Sequence, residues 1–355
     1  MSPPLPNRDL LHLLADKYFR NALNREEESV VSSHWRLYGG LFDIDMDSAG
    51  NLLEVVGAGI GTMKWPKGWK GAFQRLLDYL CIFLHIIRLP DRRFLLQLRR
   101  EGTGLCRKMG LHFTFDAFRQ ICTLAIIERN LGRGGVIKGG LNILMIGDGY
   151  GFLSALFKLR FPHSTVVLID LGKTLLLQSY NCQMAFPQSV HMLPEKIDER
   201  SQADFVYCPA EQLEALKGFT FDIAVNIASM QEMAPTIVER YFAFLRKRLR
   251  TKNLFYCCNR ERKTMPGGEV SEFTHYPWKP EDQYVINGPC PWHQYFMAVG
   301  RSGNEAVISG VKIPFVHLYD GIHLHRLVVM ATDHRDRNKG ESEGSRNPQD
   351  EEGRR

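Results

Sequence analysis

The chain has 355 residues, of which 44% are hydrophobic and 24% charged. These proportions are typical of a globular protein and exclude a wholly disordered or collagen-like chain. The formal net charge is +6, and basic residues are concentrated between Arg88 and Lys108. We expect the apolar side chains of this segment to point inward, which leaves no platform among the charges on which bases could stack. We therefore interpret the segment as a solvated helical face and expect no nucleic-acid partner.

The first 132 residues are predicted to form a helical cap region. Residues 8–28 have the apolar spacing of an amphipathic helix. Residues 72–132 have the pattern of several helices, with breaks at Pro90 and near Gly102.

From residue 133 the pattern changes to alternating strands and helices. The predicted strands are 141–146, 165–169, 205–208, 221–227 and 254–258. Nearly continuous apolar strands separated by helices predict a mostly parallel sheet with helices on both faces. We therefore assign residues 133–332 to one α/β domain with an irregular insert at 264–300. Strands near 306–309 and 324–331 are expected to complete the sheet, and residues 333–355 are predicted to be a disordered tail.

The cysteines and the apolar segments bear on location and metal binding. The eight cysteines show neither a C-x-x-C pair nor regular spacing, so we expect reduced core residues of a cytoplasmic protein. We expect no membrane contact, because the longest apolar run is shorter than the roughly 20 residues that span a bilayer, and no signal peptide is visible. The spacing of His, Asp and Glu predicts no metal site, although the carboxylate ligands of Mg²⁺ can be scattered along a chain.

Two glycine motifs are candidates for phosphate or nucleotide binding. The first, residues 57–61, is followed by Pro66 where a phosphate site needs a helix, and we interpret it as a turn between strands. The second, residues 147–151, follows a buried strand, opens a helix and precedes Asp170 at the end of the next strand. Nucleotide sites have this order, because glycines let the backbone approach a ligand and the carboxylate can accept two hydrogen bonds from a ribose.

The spacing of the second motif discriminates between cofactors. A dinucleotide site requires G-x-G-x-x-G, but Phe152 stands where the third glycine would be. The G-x-G-x-G spacing, with Asp170 on the second strand, is similar to the S-adenosylmethionine site of class I methyltransferases. An NAD-dependent sugar oxidoreductase is a further alternative, which conflicts with Phe152.

Four motifs further along the chain carry a more specific resemblance. In chain order they are residues 226–233 (NIASMQEM), 255–260 (FYCCNR), 276–278 (YPW) and 290–294 (CPWHQ). Together they resemble the sugar O-methyltransferase family that includes the nanchangmycin-type deoxysugar O-methyltransferases. The resemblance implies a Rossmann-like class I methyltransferase fold, S-adenosylmethionine as cofactor, and a sugar or glycosylated small molecule as methyl acceptor.

The resemblance also implies a set of cofactor-binding residues. The glycine loop would contact the methionine end, an acid after the second strand the ribose, and residues after the third and fourth strands the adenine and the sulfonium. These residues are Gly147, Gly149, Tyr150, Gly151, Asp170, Leu171, Ala210, Glu211, Asn226 and Ala228. Met145 departs from the pattern, since class I enzymes usually have an acid there. The main alternative is therefore a non-catalytic homologue or scaffold that binds the cofactor.

Methyl transfer to a hydroxyl needs a base beside the acceptor oxygen, because a sugar hydroxyl is a poor acid. His293, in the irregular insert, and Glu232, after the fourth strand, are the candidate catalytic residues. Trp35 is a candidate to fold over the site. Polar and aromatic residues near these positions are predicted to bind the substrate: Gln231, Tyr276, Trp278, Trp292 and Gln294.

Overall fold

The computed structural model describes residues 10, 30–38, 43–46, 52–56, 63–65, 67–136, 139–196, 203–293, 297–299, 305–308, 311–318 and 322–333. Apart from single residues at their edges, the predicted helix over 8–28 and the predicted tail lie outside this part of the chain. The glycine motif at 57–61 and the predicted substrate residue Gln294 also lie outside it.

The elements are named here in chain order. The described helices are α1 (Ser33–Tyr38), α2 (Trp69–Arg88), α3 (Arg92–Lys108), α4 (Phe115–Asn130), α5 (Phe152–Arg160), α6 (Gly172–Ala185) and α7 (Pro235–Arg248). The described strands are β1 (Asp43–Met46), β2 (Leu52–Val56), β3 (Asn142–Ile146), β4 (Thr165–Asp170), β5 (His191–Met192), β6 (Phe205–Pro209), β7 (Phe221–Ile227), β8 (Leu249–Arg260), β9 (Arg262–Thr264), β10 (Val270–Glu272), β11 (Gln283–Pro289), β12 (Met297–Val299), β13 (Glu305–Ile308), β14 (Val311–Leu318) and β15 (His323–Val329).

A central sheet dominates the described residues. Its strand order is β11-β15-β8-β7-β3-β4-β6-β5. Neighbouring strands are parallel except at β15, which runs antiparallel to both β8 and β11. Along β3, Ile143 and Met145 face one hydrophobic core, whereas Leu144 and Ile146 face another. Because both faces of the strand are apolar, both faces of the sheet must be covered.

Helices cover the sheet on both sides. Side chains of α2 to α6 pack into the first core, and those of α7 into the second. Leu98 of α3 and Phe118 of α4 belong to the same cluster as Ile143 and Tyr256, so the helices of the predicted cap region pack directly on the sheet. This arrangement confirms the predicted Rossmann-like class I methyltransferase fold.

The helix boundaries in the cap differ from the prediction at one point. The break at Pro90 lies between α2 and α3 as predicted, but Gly102 is inside α3. A Cβ at Gly102 would lie 2.8 Å from Cδ1 of Ile121. The glycine therefore allows α3 to pack closely against α4 and does not end a helix.

The C-terminal strands also correct the prediction. β15 completes the sheet as expected, but β13 pairs with β14 in a separate three-stranded sheet. One edge strand of the central sheet is β11, which lies within the insert that was predicted to be irregular. Most of β11 is exposed or half-buried, so it lacks the apolar run by which the buried strands are predicted.

Two further expectations concern cysteines and membranes. All eight cysteines lie in the described part of the chain, and each is buried with a free thiol, as predicted for core residues. Among the described helices, none is both long and apolar enough to cross a bilayer.

Candidate functional site

A cavity lies at the carboxyl ends of β3, β4 and β7, where ligands bind in open α/β sheets. The loops after these strands, helix α4 and the segment that leads into α1 surround it. Many of the predicted site residues line this cavity: Gly147, Gly149, Asp170, Leu171, Ala210, Ala228, Gln231, Glu232 and His293. Trp35 also lines it, so the N-terminal segment does fold over the site.

The glycine loop has the backbone that its sequence predicts. Gly147, Gly149 and Gly151 have φ values of 72°, 60° and 75°, in the left-handed region that other residues rarely adopt. A Cβ at Gly147 would lie 2.0 Å from Oγ of Ser229, in the loop after β7. A Cβ at Gly151 would lie 3.1 Å from Cα of Gln178 on α6. Gly147 thus keeps two loops together beside the cavity, whereas Gly151 serves the packing of α6.

Replacing Gly147 by Ala is expected to lower the free energy of unfolding by about 3 kcal/mol, because the new methyl overlaps Ser229 and the backbone is strained. Adding Ser229→Gly removes the overlapping Oγ and Cβ and should restore more than half of that loss. Gly104→Ala is the control, since a Cβ there meets nothing within 4 Å. Urea denaturation of the variants measures the effect, and equal stability of Gly147→Ala and the control would contradict the assignment.

Asp170 ends β4 and faces the cavity. One carboxylate oxygen accepts a hydrogen bond from the Leu171 N–H (2.8 Å), and the other accepts one from the Gln178 amide (2.6 Å). Burial raises the pKa of Asp170 to about 7, although these hydrogen bonds favour the ionised form and oppose the rise. The charge of the nearby Asp148 carboxylate adds to the rise. The carboxyl group is therefore poised to change its charge near neutral pH.

Asp148, between Gly147 and Gly149, forms hydrogen bonds with the first turn of helix α5. Its carboxylate accepts hydrogen bonds from the backbone N–H groups of Leu153 (3.3 Å) and Ser154 (2.7 Å) and so caps helix α5. Burial raises the pKa of Asp148 to about 7. Met145, where class I enzymes usually have an acid, is buried and lines the cavity with an apolar side chain.

The raised pKa values predict opposite pH dependences for stability and for ligand binding. Between the ordinary pKa of 3.8 and about 7, folded Asp148 and Asp170 bind protons that the unfolded chain does not. The ligand-free protein should therefore gain about 3 kcal/mol of stability as the pH falls from 8 to 6, roughly half of it from each carboxyl group. If Asp170 accepts the ribose hydroxyls of S-adenosylhomocysteine, the binding of that compound should weaken over the same range, because the hydroxyls need the ionised carboxylate. Thermal unfolding and calorimetry at both pH values test this, and changes of the same sign would contradict it.

The end of β7 holds Asn226 and Ala228. Asn226 is fully buried: its amide donates to the Ile146 carbonyl (2.9 Å), and its Oδ1 accepts from Asn259 (2.9 Å) and from the Met230 N–H (3.3 Å). It ties strand ends together beneath the cavity and is not among the described residues that line it. Ala228 does line the cavity and has a φ of 54°, a strained conformation for a residue with a Cβ.

Glu232 sits in a cluster of polar side chains. Its carboxylate lies 2.7 Å from Nζ of Lys263 and 3.4 Å from Nε2 of His34. Burial raises the pKa of Glu232, although Lys263 opposes the rise. Burial also lowers the pKa of His34 to about 4, helped by the charge of Lys263, so this imidazole is neutral at pH 7. The hydroxyl of Ser32 donates to the Glu232 backbone carbonyl and holds the N-terminal segment against the site.

His293 borders the cavity and lies against two thiols. Its Nδ1 is 3.3 Å from Sγ of Cys290 and 3.7 Å from Sγ of Cys258. Burial lowers the pKa of His293, and the charge of Arg119 lowers it further. The imidazole is consequently neutral at pH 7, with Nδ1 against the two thiols.

Three aromatic residues that were predicted to bind substrate lie elsewhere. Tyr276 and Trp278 pack around Phe242 in the second core, with ring centroids 6.1 and 4.8 Å from it. Trp292 is buried in the first core. None of the three is among the cavity-lining residues of the described chain. The prediction is corrected for all three, because these aromatic rings form core contacts.

Two residues that were predicted to bind the cofactor, Tyr150 and Glu211, do not line the cavity of the described chain. Tyr150 packs against the first core, and its carbonyl accepts a hydrogen bond from Asn181 (2.9 Å). Glu211 follows Ala210 in the turn after β6. Neither belongs to the lining of the cavity in the described residues.

Sequence reasoning missed a polar face on α4. Asp116, Arg119 and Gln120 line the cavity, and Arg119 donates to the Asp116 carboxylate. Their spacing of three and four residues places them on one side of the helix. A polar stripe on an otherwise apolar cap helix was the available signal. Lys263 and His34 gave no comparable signal, because they are far from Glu232 in the sequence.

Comparisons with known proteins give structural neighbours but no matching sequence family. No protein-family model matches the chain, and no curated protein matches it. Coclaurine N-methyltransferase bound to N-methylheliamine and SAH is 11% identical, with a TM-score of 0.32, over 47% of this chain and 51% of that one. Cyclopropane synthase MmaA2 from Mycobacterium tuberculosis is 17% identical, with a TM-score of 0.35, over 48% and 65%. The pyocyanin biosynthetic protein PhzM is 12% identical, with a TM-score of 0.27, over 50% and 43%.

The matched part therefore spans about half to two thirds of the first two of these proteins. At such identities the similarity concerns the fold alone. The chain has a Rossmann-like class I methyltransferase fold, as its strand order and its helix-covered sheet show.

Proposed function

We propose that the protein transfers the methyl group of S-adenosylmethionine to a hydroxyl of a sugar or glycosylated small molecule. The observation that carries this proposal is the grouping of three features around one cavity. These are the glycine loop after β3, Asp170 at the end of β4 and the half-buried Glu232 after β7. The first two suit a nucleoside, and the third is a base on the acceptor side.

The cavity residues fit the nucleoside part of the cofactor. A carboxylate accepts about four hydrogen bonds. The Leu171 N–H and the Gln178 amide each donate to a different oxygen of Asp170, and the Gly149 N–H also bonds to the carboxylate; the remaining acceptor capacity is assigned to the ribose hydroxyls. Leu171 and Ala210 provide apolar contacts for the adenine. When bound, the cofactor supplies a methyl group that its sulfonium sulfur has activated.

The ion pair on α4 suits the amino-acid end of the cofactor. Met145 offers no carboxylate to an ammonium group, and that of Asp148 caps α5. Asp116 and Arg119 instead present opposite charges on the cavity wall. Charge-assisted hydrogen bonds of this kind are about twice as strong as neutral ones. In this proposal Asp116 binds the ammonium group and Arg119 the carboxylate.

Glu232 is assigned the role of general base. Its raised pKa favours acceptance of a proton from the acceptor hydroxyl, and Lys263 and His34 hold the carboxylate in place. Gln231 accepts a hydrogen bond at Oε1 from the Arg260 N–H (2.7 Å), which fixes its amide beside Glu232. His293 is assigned a contact to the acceptor.

A non-catalytic cofactor-binding protein is the second candidate function. The buried, apolar Met145 in the cavity wall favours it, because the cofactor's ammonium group would lose a usual partner. Such a protein would bind S-adenosylhomocysteine but transfer no methyl group.

The test is methyl transfer from radiolabelled S-adenosylmethionine to a panel of nucleotide sugars and glycosides. Fully O-methylated versions of the same compounds serve as matched controls. The proposal predicts label in compounds with a free hydroxyl and none in the controls. Binding of S-adenosylhomocysteine without transfer to any hydroxyl would favour the second candidate, and transfer to amines alone would contradict an O-methyltransferase.

A further inference from the structure

Two cysteines and a histidine converge behind the cavity wall. Cys258 lies near the end of β8, and Cys290 and His293 lie on the turn that follows β11. The two sulfur atoms and Nδ1 of His293 all lie within 4.8 Å of one another. All three side chains are almost completely buried. The proposed methyl transfer makes no use of the two thiols.

We propose that Cys258, Cys290 and His293 bind a zinc ion. Thiolate sulfur and imidazole nitrogen are the ligands that zinc prefers in proteins. With bonds of about 2.3 Å to sulfur and about 2.0 Å to nitrogen, tetrahedral zinc holds a sulfur and a nitrogen ligand about 3.5 Å apart. The sulfur–nitrogen distances here, 3.3 and 3.7 Å, lie on either side of that value. The proposal departs from the expectation, drawn from the spacing of His, Asp and Glu, that the chain has no metal site.

The backbone holds the three ligands in place. Cys290 and His293 have the spacing C-x-x-H on a tight turn, in which the His293 N–H donates to the Cys290 carbonyl (3.3 Å). The Cys290 N–H in turn donates to the His323 carbonyl at the start of β15 (2.8 Å). Cys258 projects from a central strand between β7 and β15. Ligands on a hydrogen-bonded turn and a rigid strand are the support that a metal site needs.

The cluster is buried between the sheet and the insert. His325 on β15 does not belong to it, and its Nδ1 lies 3.2 Å from the Tyr256 hydroxyl. The described residues bring three ligands together, so a further ligand such as water would complete the tetrahedral coordination of the zinc ion. Zinc here would join β8 to the insert.

Zinc binding would also define the role of His293, an inference that rests on the proposed function. An imidazole that binds a metal through Nδ1 carries its remaining proton on Nε2. That nitrogen can then donate a hydrogen bond but cannot accept a proton from the substrate. Of the two candidate bases, this leaves Glu232.

The test is metal binding by the full-length, untagged protein, without any activity measurement. Zinc content is measured by mass spectrometry, and reduced metal-free protein is titrated with Co²⁺ and followed by absorption. We expect about one zinc per chain and the intense visible bands of tetrahedral cobalt with thiolate ligands. Cys258→Ser and Cys290→Ser should each lower the zinc content at least tenfold.

Cys257→Ser is the matched control, because this buried cysteine is next to Cys258 but faces the second core. It should retain its zinc and its cobalt spectrum. Wild-type protein that gives no tetrahedral cobalt spectrum would overturn the proposal, even if the variants do not fold. So would equal metal loss in Cys257→Ser, or a Cys258–Cys290 disulfide whose reduction yields no zinc binding. Calorimetry with S-adenosylhomocysteine on the same samples shows separately whether the cofactor proposal fails.

Discussion

Replacing Asp170 by Asn is expected to weaken the binding of S-adenosylhomocysteine about 100-fold, a loss of roughly 3 kcal/mol. The carboxylate ends β4 at the edge of the cavity and is the proposed acceptor for both ribose hydroxyls. Asn removes the negative charge and one of the two acceptor oxygens while keeping the shape of the side chain. Isothermal titration calorimetry at pH 8, where the wild-type carboxyl is ionised, measures the effect.

Glu239→Gln is the control for this experiment, because it removes a carboxylate from the exposed side of α7. It should bind as tightly as wild type. Thermal unfolding of Asp170→Asn shows whether the variant is folded. A folded Asp170→Asn protein with wild-type affinity would remove Asp170 from the cofactor site.

Glu232→Gln is expected to lower kcat by about 10²- to 10³-fold, within the range that general-base catalysis contributes. The amide keeps the size of the side chain but cannot take a proton from the acceptor hydroxyl. The dissociation constant of S-adenosylhomocysteine should change little, because Asp170 and α4 carry the proposed cofactor contacts. Steady-state kinetics and calorimetry separate the two effects.

Glu261→Gln, which changes an exposed glutamate just after β8, should keep wild-type turnover. Equal turnover in Glu232→Gln and wild type would exclude Glu232 as the base. A large loss of cofactor affinity in Glu232→Gln would point instead to a binding role.

The sequence predicts the central strands well because of how they are buried. β3, β4 and β7 are covered on both faces, so nearly every residue in them is apolar and each strand stands out as a continuous run. β11 carries no such run, because it pairs only with β15 at the edge and stays largely exposed. Its pairing depends on tertiary contacts that local pattern does not reveal.

The candidate site also combines residues whose position the sequence predicts with residues whose position it does not. Gly147 follows β3, Asp170 ends β4 and Glu232 lies in the loop after β7, so the parallel topology places them at one edge of the sheet. Asp116 and Arg119 reach the same cavity from a helix that the prediction assigned to a cap. Their position depends on how α4 packs against the sheet, which periodicity does not specify.

The composition of the insert does not reveal the role of its aromatic residues. Tyr276 and Trp278 stand in an irregular segment, and the sequence does not distinguish rings that bind a sugar from rings that fill a core. In the structure, these two rings pack against Phe242 of α7 in the second core. The Cys258 and Cys290 thiols likewise meet only because β8 and the insert are neighbours in space.

The central claim is that the cavity binds S-adenosylmethionine, and calorimetric titration of the wild-type protein tests it most directly. S-adenosylhomocysteine and NAD are titrated separately at pH 8. We expect micromolar binding of S-adenosylhomocysteine and no binding of NAD, because buried Phe152 stands where a dinucleotide loop needs a glycine. Binding of NAD alone, or of neither compound, would contradict the account.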